Sequence, residues 1–214
     1  MTWEPPADVR AAGARVRGAF PNVQGSPLTS DDVAAVQLPI TPGVRALVEY
    51  IADRWGVNVG APRGASVRKP LRNAAGQLRR RDVHEEGRAL DVMASGARGA
   101  EIANWLASRA LELGIQYMIF DRVELSSSLI GEAWEPYSGQ TQWGTPRDPH
   151  TTHVHVELSP AFAADGARMR SVLGMAPRAD ANAVQARRTG TSRCTRTCAT
   201  GETVSNVGAN VERV

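Results

Sequence analysis

The chain has 214 residues, 42% of them hydrophobic and 22% charged, the composition of an ordinary globular protein long enough to bury a core without disulfide staples. Its formal net charge is only +3 and Lys69 is its sole lysine, so the basicity reflects arginine-rich coding rather than a nucleic-acid surface, and no DNA- or RNA-binding motif is present. Weak positive charge suits an anionic polymer such as a cell wall, while no stretch approaches the ~20 apolar residues of a membrane span.

Residues 1–40 are rich in Pro, Gly, Ala and Arg and carry one short predicted helix around Asp8 to Phe20. They read as an N-terminal extension that wraps or tethers. The opening Met1-Thr-Trp-Glu-Pro-Pro-Ala-Asp8 has neither the basic start nor the apolar run of an ordinary secretory signal. From Thr41-Pro42 a helix is well signalled: a capping Thr, Pro at the first helical position, then Val44, Leu47, Val48, Ile51 and Trp55 on one stripe, closed by Gly56. Val57-Asn-Val59 is a short predicted strand leading into Gly60-Ala-Pro-Arg63, and the polar, basic segment Ser66 to Arg81 reads as a loop crossing over a site.

Next comes Arg81-Asp-Val-His84-Glu-Glu-Gly87-Arg-Ala-Leu-Asp91-Val-Met93. Gly87 can take a positive φ, turning the chain between His84 and a short apolar strand, Ala89 to Met93, that carries Asp91. After Ser95-Gly-Ala-Arg-Gly99 a second helix is predicted from Ala100 to Leu113, with Ile102, Trp105, Leu106, Ala110 and Leu113 inward and Gly114 at its end. Ile115 to Phe120 is a largely apolar strand. Ser126 to Pro149 reads as a long loop around Trp134, Tyr137 and Trp143, and such loops are often functional. Trp134 and Tyr137 either wall a substrate cleft or pack the loop; the residues alone leave both readings open.

Pro149-His150-Thr-Thr-His153-Val-His155-Val-Glu157-Leu158 holds the other three of the chain's four histidines. Val154, Val156 and Leu158 alternate with His153, His155 and Glu157, so a strand here packs one face and offers the other for chemistry. A weak helix follows from Ala161 to Met175. From Pro177 the chain turns to Ala, Arg, Thr, Gly, Ser and Asn, too polar for a core. It reads as a flexible tail open to ordering by a protein partner, and its Cys194-x-x-x-Cys198 pair fits a disulfide, a metal or two plain thiols. The expected organisation is an extension at 1–40, a domain at 41–176 and the tail at 177–214. The expected fold class is α+β, an antiparallel sheet packed against helices.

His84, Asp91 and one strand histidine can converge. Three imidazole and carboxylate ligands with a fourth position open is the composition of a catalytic rather than a structural zinc site. The His-Glu-x-x-His zincin pattern does not apply, because Arg88 stands where its second histidine would be. Strand spacing puts side chains two positions apart ~6.5 Å from one another, so one strand histidine can ligate while its neighbour faces substrate.

In these residues the chain resembles the zinc D-alanyl-D-alanine carboxypeptidases and related murein endopeptidases that share a fold with the hedgehog signalling domain. That family's pattern is His, six residues, Asp, then His-x-His on a later strand. His84 with Asp91, and His150-x-x-His153-x-His155, match it. An actinobacterial-type branch is similar also in Trp105-Leu106, Leu113 to Phe120 and Trp134-Glu-Pro-Tyr137, so the resemblance spans about residues 40–160.

The resemblance implies that His84, Asp91 and His155 hold one zinc ion per chain, with His153 beside the scissile carbonyl and His150 as an auxiliary group. Arg63, with Arg68 near enough to compete, is the positional match for a substrate-binding arginine. Two departures stand out: Thr152 where the family often has Asp before the His-x-His pair, and Asp82 where it often has Ser. A carboxylate behind a metal-bound imidazole orients it, so these departures bear on catalytic competence rather than on the ligand set.

The function expected is a zinc metallopeptidase acting on peptidoglycan peptides, with D-amino-acid bonds the family's habit. The alternative is a non-catalytic zinc-binding module or a component of a larger assembly. The first implies action at the cell wall, in the periplasm or outside the cell. Without a recognisable signal, such a protein would be expected to arrive by lysis or by a dedicated export or injection machine.

Overall fold

The computed structural model describes residues 2–21, 23, 25–27, 39–60, 80–128, 132–137 and 148–177. Arg63, Arg68, Trp143, Cys194 and Cys198 lie outside the described residues, as does the tail from 178 onward. In chain order the elements are α1 (Ala7–Ala14), α2 (Pro42–Trp55), β1 (Val59–Gly60), β2 (Ala89–Val92), α3 (Gly96–Ser108) and α4 (Ala110–Leu113). They continue with β3 (Ile115–Phe120), β4 (Val123–Ser126), β5 (Trp134–Pro136), β6 (Val154–Leu158), α5 (Pro160–Ala164) and α6 (Gly166–Val172). The fold is α+β. Its strands form one six-stranded sheet in the order β1-β2-β6-β3-β4-β5, every pairing antiparallel.

The last strand in the chain is inserted into the middle of the sheet, between β2 and β3. Period-2 alternation then sorts the side chains. Leu90, Val92, Val154, Val156, Leu158, Met118, Phe120, Leu125 and Trp134 share one face and are buried in a single core with residues of the helices. Helices α2 and α3 pack against this face through Val44, Leu47 and Ile51 on the first and Ile102, Ala103 and Leu106 on the second. Asp91, His155, Ile119 and Glu124 sit opposite one another on the other face. Trp3, Val9 and Val16 of the N-terminal segment are buried in the same core, Trp3 edge-on to Phe120 and Trp134 at 5.5 and 5.8 Å.

Helix α2 runs from Pro42 to Trp55 and ends on Gly56 at φ 61°, as its sequence predicts. Thr41 stands at the capping position, but its hydroxyl does not cap the helix. It donates to the Gly87 carbonyl at 2.9 Å, and the Thr41 amide donates to the same oxygen at 3.1 Å. The start of α2 is thereby tied to the turn that precedes β2.

Other boundaries differ from expectation for definable reasons. The helix expected at Ala100–Leu113 begins at Gly96 and is interrupted at Arg109. At Gly99 a Cβ would lie 2.5 Å from the Phe120 ring, so close helix–sheet packing demands glycine in a first turn that propensity alone reads as loop. The expected strand at 57–59 is reduced to Val59–Gly60, and the expected helix at 161–175 becomes α5 and α6. Strand β5 lies within the stretch expected to be a loop, Ser126 to Pro149, and β4 falls where no element is expected. Their signals are weak: β5 has three residues including Pro136, and the β3–β4 turn uses Asp121 and Arg122 at φ 40° and 69° instead of the usual Asn-Gly.

Gly87 has φ 69°, and a Cβ there would meet the Pro39 carbonyl oxygen at 2.3 Å. Both the left-handed backbone and the backbone neighbour oppose any side chain. Gly87→Ala is expected to destabilise the protein by at least ~2 kcal/mol in denaturant unfolding.

Candidate metal centre

His84 lies in the turn at residues 83–87, just before β2. Asp82 and Glu85 clamp that turn reciprocally: the Glu85 amide donates to Asp82 Oδ1 at 2.8 Å and the Asp82 amide to Glu85 Oε2 at 2.9 Å. This is the geometry of a capping box. Asp82 therefore shapes the loop that presents His84. Behind it, buried Arg88 bonds Glu86, the Leu158 carbonyl at 2.8 Å and the Val23 carbonyl at 3.0 Å, fixing the turn to β6.

Asp91 on β2 and His155 on β6 are directly opposite in register. Directly opposed residues on one sheet face have Cβ atoms about 5 Å apart, so side chains leaning together can share an ion. His84 Nε2, Asp91 Oδ1 and His155 Nδ1 form a triangle with edges of 3.0 Å (Asp91–His155), 3.1 Å (His84–His155) and 3.5 Å (His84–Asp91). Ligand atoms at zinc bond lengths of 2.0–2.1 Å and tetrahedral angles are ~3.3 Å apart. The three groups thus already stand at the spacing of one face of a tetrahedral site. Among the described residues these three form the group able to hold a metal ion, which leaves the fourth corner to a ligand from outside that group.

The protonation states fit such a site. Burial, then the neighbouring His155, hold the His84 imidazole below its ordinary value, leaving its nitrogen a lone pair at neutral pH. Burial pushes the Asp91 carboxyl up, but its bond with His155 and the adjacent imidazoles outweigh this and keep it ionised. For His155, burial acts to lower the value, yet bonds to Asp91 and Glu157 raise it to about 9. The corner where the three ligand atoms meet therefore holds a proton on His155 Nδ1 when it holds no cation. The other ring nitrogen, Nε2, lies 3.2 Å from Glu157 Oε1.

His153 projects from the same face of β6. Its Nε2 is 3.8 Å from Asp91 Oδ1, and its Nδ1 faces the Thr152 hydroxyl at 3.2 Å. His150 sits in the left-handed region at φ 51°, its amide donating to Asp148 Oδ1 at 2.8 Å. Burial, then the charge of His155, keep its imidazole below the usual value. Its ring is 4.8 Å from that of His153 and 5.6 Å from that of His155, with Tyr137 edge-on at 5.3 Å. The β3–β4 turn holds this loop: the Asp121 and Arg122 amides donate to the carbonyls of His150 and Pro149 at 2.8 and 2.9 Å.

The structure thus brings together His84, Asp91, His150, His153, His155 and Tyr137. Trp134 is different. It projects from the opposite sheet face, is buried against Trp3, and donates from Nε1 to the Arg10 carbonyl at 2.9 Å. Of the two roles left open for it, these contacts are those of a packing residue. Trp134 and Tyr137 are three residues apart, and the period-2 rule puts them on opposite faces. Arg63 lies outside the described residues. Sequence reasoning gave Glu157 no role, although its alternation with His153 and His155 had already placed it on their face. Gln116 and Tyr117 were likewise unassigned; the Tyr117 ring is 6.4 Å from His155, and its hydroxyl donates to Glu124.

A family model described as VldE, C-terminal domain, matches residues 39–155, and the chain belongs to that family. No curated protein and no solved structure matches it. The matched range includes every residue of the triangle together with His150 and His153, and stops two residues before Glu157.

A divalent ion and the His155 proton compete for the same lone pair. Zinc binding to the metal-free protein at pH 7.5 is expected to release about one proton, and affinity should climb with pH up to about 9. Titration calorimetry in buffers of different ionisation enthalpy measures this directly. His84→Ala and Asp91→Ala should each lose stoichiometric binding.

Proposed function

We propose that this member of the VldE C-terminal domain family is a zinc-dependent peptidase that hydrolyses peptide bonds, D-amino-acid bonds among them, in bacterial peptidoglycan. The observation that carries the reading is the triangle of His84 Nε2, Asp91 Oδ1 and His155 Nδ1, with edges of 3.0 to 3.5 Å. Its mixture of two imidazoles and one carboxylate is that of a hydrolytic rather than a structural site. The resemblance of the His84-to-Asp91 and His150-to-His155 segments to the D-alanyl-D-alanine carboxypeptidase and murein endopeptidase pattern adds the substrate class. The α+β architecture is compatible with the hedgehog-like fold of that family.

Zinc held by the three ligands would supply Lewis acidity and lower the pKa of a water toward neutrality. The remaining work falls to this chain's own residues. His153, with Nδ1 beside the Thr152 hydroxyl and Nε2 turned toward Asp91, is placed to hold or move a proton at Nε2 as the scissile carbonyl is attacked. A donor at that position also stabilises the developing oxyanion. His150 and Tyr137, packed edge to face, wall the same side. Arg63, close in sequence to β1, is retained as the candidate for orienting substrate.

The carboxylate behind a metal-bound imidazole, missed at residue 152, is present in this chain as Glu157 on His155 Nε2. This favours a working hydrolase over an inert zinc module. Such a protein would act at the cell wall.

The test is digestion of purified sacculi and defined muropeptides by the zinc-loaded protein, with products read by mass spectrometry. Peptide-bond cleavage is expected, lost on chelation and in His155→Ala. A zinc-loaded protein inert on every muropeptide overturns the proposal. His153→Gln is expected to keep its zinc while turnover falls by ~10²- to 10⁴-fold, a separation of binding from chemistry that metal analysis alongside kinetics resolves.

A further inference from the structure

Behind His155 runs a second line of polar groups that the ligand triangle does not account for. Glu157, two residues further along β6 and on the same face, places Oε1 3.2 Å from His155 Nε2. Its other oxygen, Oε2, accepts from Gln116 Nε2 at 3.1 Å, and the same amide nitrogen lies 3.3 Å from the Val23 carbonyl. Gln116 is fully buried, and its Oε1 has no hydrogen-bond partner among the described residues. A buried, half-satisfied amide on a largely buried carboxylate is costly to maintain unless it serves an orientation.

The backbone has been altered to allow it. Strand β3 pairs with β6 through Ile115↔Leu158 and Tyr117↔Glu157, with a register irregularity between Ile115 and Tyr117 where Gln116 sits. Regular alternation would send Gln116 to the core face with Met118. A bulge re-aims one side chain without disturbing the rest of the strand, and here it turns Gln116 onto the face that carries Glu157.

We propose that Glu157, held by Gln116, is a positioning residue that keeps the His155 Nε2 proton on the carboxylate side, so that Nδ1 presents its lone pair to His84 Nε2 and Asp91 Oδ1. The inference deepens the metal reading above and rests on it. A neutral imidazole carries one proton, and which nitrogen bears it, leaving the other to a metal, is set by the hydrogen bonds the ring makes. With Glu157 on Nε2 and an ion among the three ligand atoms, the tautomer that satisfies both sides carries its proton on Nε2 and presents the Nδ1 lone pair to the ion. Without it, both tautomers are open, and the ring can also rotate away from the triangle. Partners of this kind typically contribute 10- to 100-fold in metal affinity.

The experiment measures zinc affinity by competition with a chromophoric chelator and records the visible spectrum after cobalt loading, for the wild type, Glu157→Gln and Gln116→Leu. Glu157→Gln keeps an acceptor of the same shape but removes its charge, and the unpartnered Gln116 oxygen can turn to receive the new amide. It is expected to weaken zinc binding 10- to 100-fold and to shift the tetrahedral cobalt bands. Gln116→Leu should weaken binding in the same direction by less.

A wild type that binds neither ion overturns the metal reading and this inference together. A wild type that binds while Glu157→Gln binds equally well with an unchanged cobalt spectrum overturns the inference alone. Should the variants not fold, nitrogen-15 correlation spectra of the histidine rings in the zinc-loaded wild type decide it: His155 protonated at Nε2 supports the proposal, and His155 protonated at Nδ1 refutes it.

Discussion

The structure depends on one strand pairing. β6 enters the sheet last in sequence but sits between β2 and β3, and its register sets His155 opposite Asp91 on one side and Ile119 on the other. A slip of one residue would exchange the faces, burying the histidines and exposing Val154, Val156 and Leu158. Those three aliphatic side chains are fully buried, so the hydrophobic effect that packs the sheet against α2 and α3 also fixes the geometry of the polar face. At ~25 cal/mol per Å² of buried apolar surface, three such side chains hold the register by several kcal/mol. No interaction within the polar triangle need supply that specificity.

A site that gathers Asp91, Glu157 and the histidine imidazoles over one sheet face must also compensate their burial. Glu157 is a nearly buried carboxylate, and burial alone would raise its pKa; its bonds to His155 and Gln116 bring it below the usual range instead. Arg88 performs the matching task on the other side of the turn, its guanidinium paired with Glu86 and capping two carbonyl oxygens. Removing one member of such a network leaves its partner charged and dry, which is far worse than never having had the pair. The polar layer is therefore a unit, and its members constrain one another through His155.

Much of this was legible in the sequence because two physical periods carry it. The alternation at 153–158 separates packing from chemistry, and the left-handed requirement at Gly87 announces the turn between His84 and Asp91. His84, Asp91 and one of the strand histidines could be brought together because each lies on or beside an element with a strong local signal, while the choice of His155 came from the family resemblance. What stayed hidden was set by tertiary contacts or by rules broken on purpose. The role of Gln116 depends on a bulge that reverses its face. The β3–β4 turn uses Asp121 and Arg122 where glycine or asparagine would be expected, and so β4 and β5 were not distinguished from loop. The sequence left the role of Trp134 open because its partners Trp3 and Arg10 are more than a hundred residues away and lie on the other side of the sheet.

Those broken rules have a common location. The non-glycine residues at positive φ among the described residues are Asp121, Arg122 and His150, and the first two donate their amides to the carbonyls of His150 and Pro149. Left-handed backbone at such residues costs of order 1–3 kcal/mol each and persists only where the surroundings enforce it. Here the enforcing groups are the turn amides themselves, together with Asp148 on the His150 amide and the Trp3 amide on Asp121. The strain is thus confined to the β3–β4 turn and the loop it holds, which delivers His150, whereas His153 and His155 follow on or beside a relaxed strand. A site divided in this way keeps its three ion-facing atoms on regular, core-anchored backbone and near-backbone turns, and assigns the adjustable geometry to a separate segment, so that the loop can differ in sequence without disturbing the triangle.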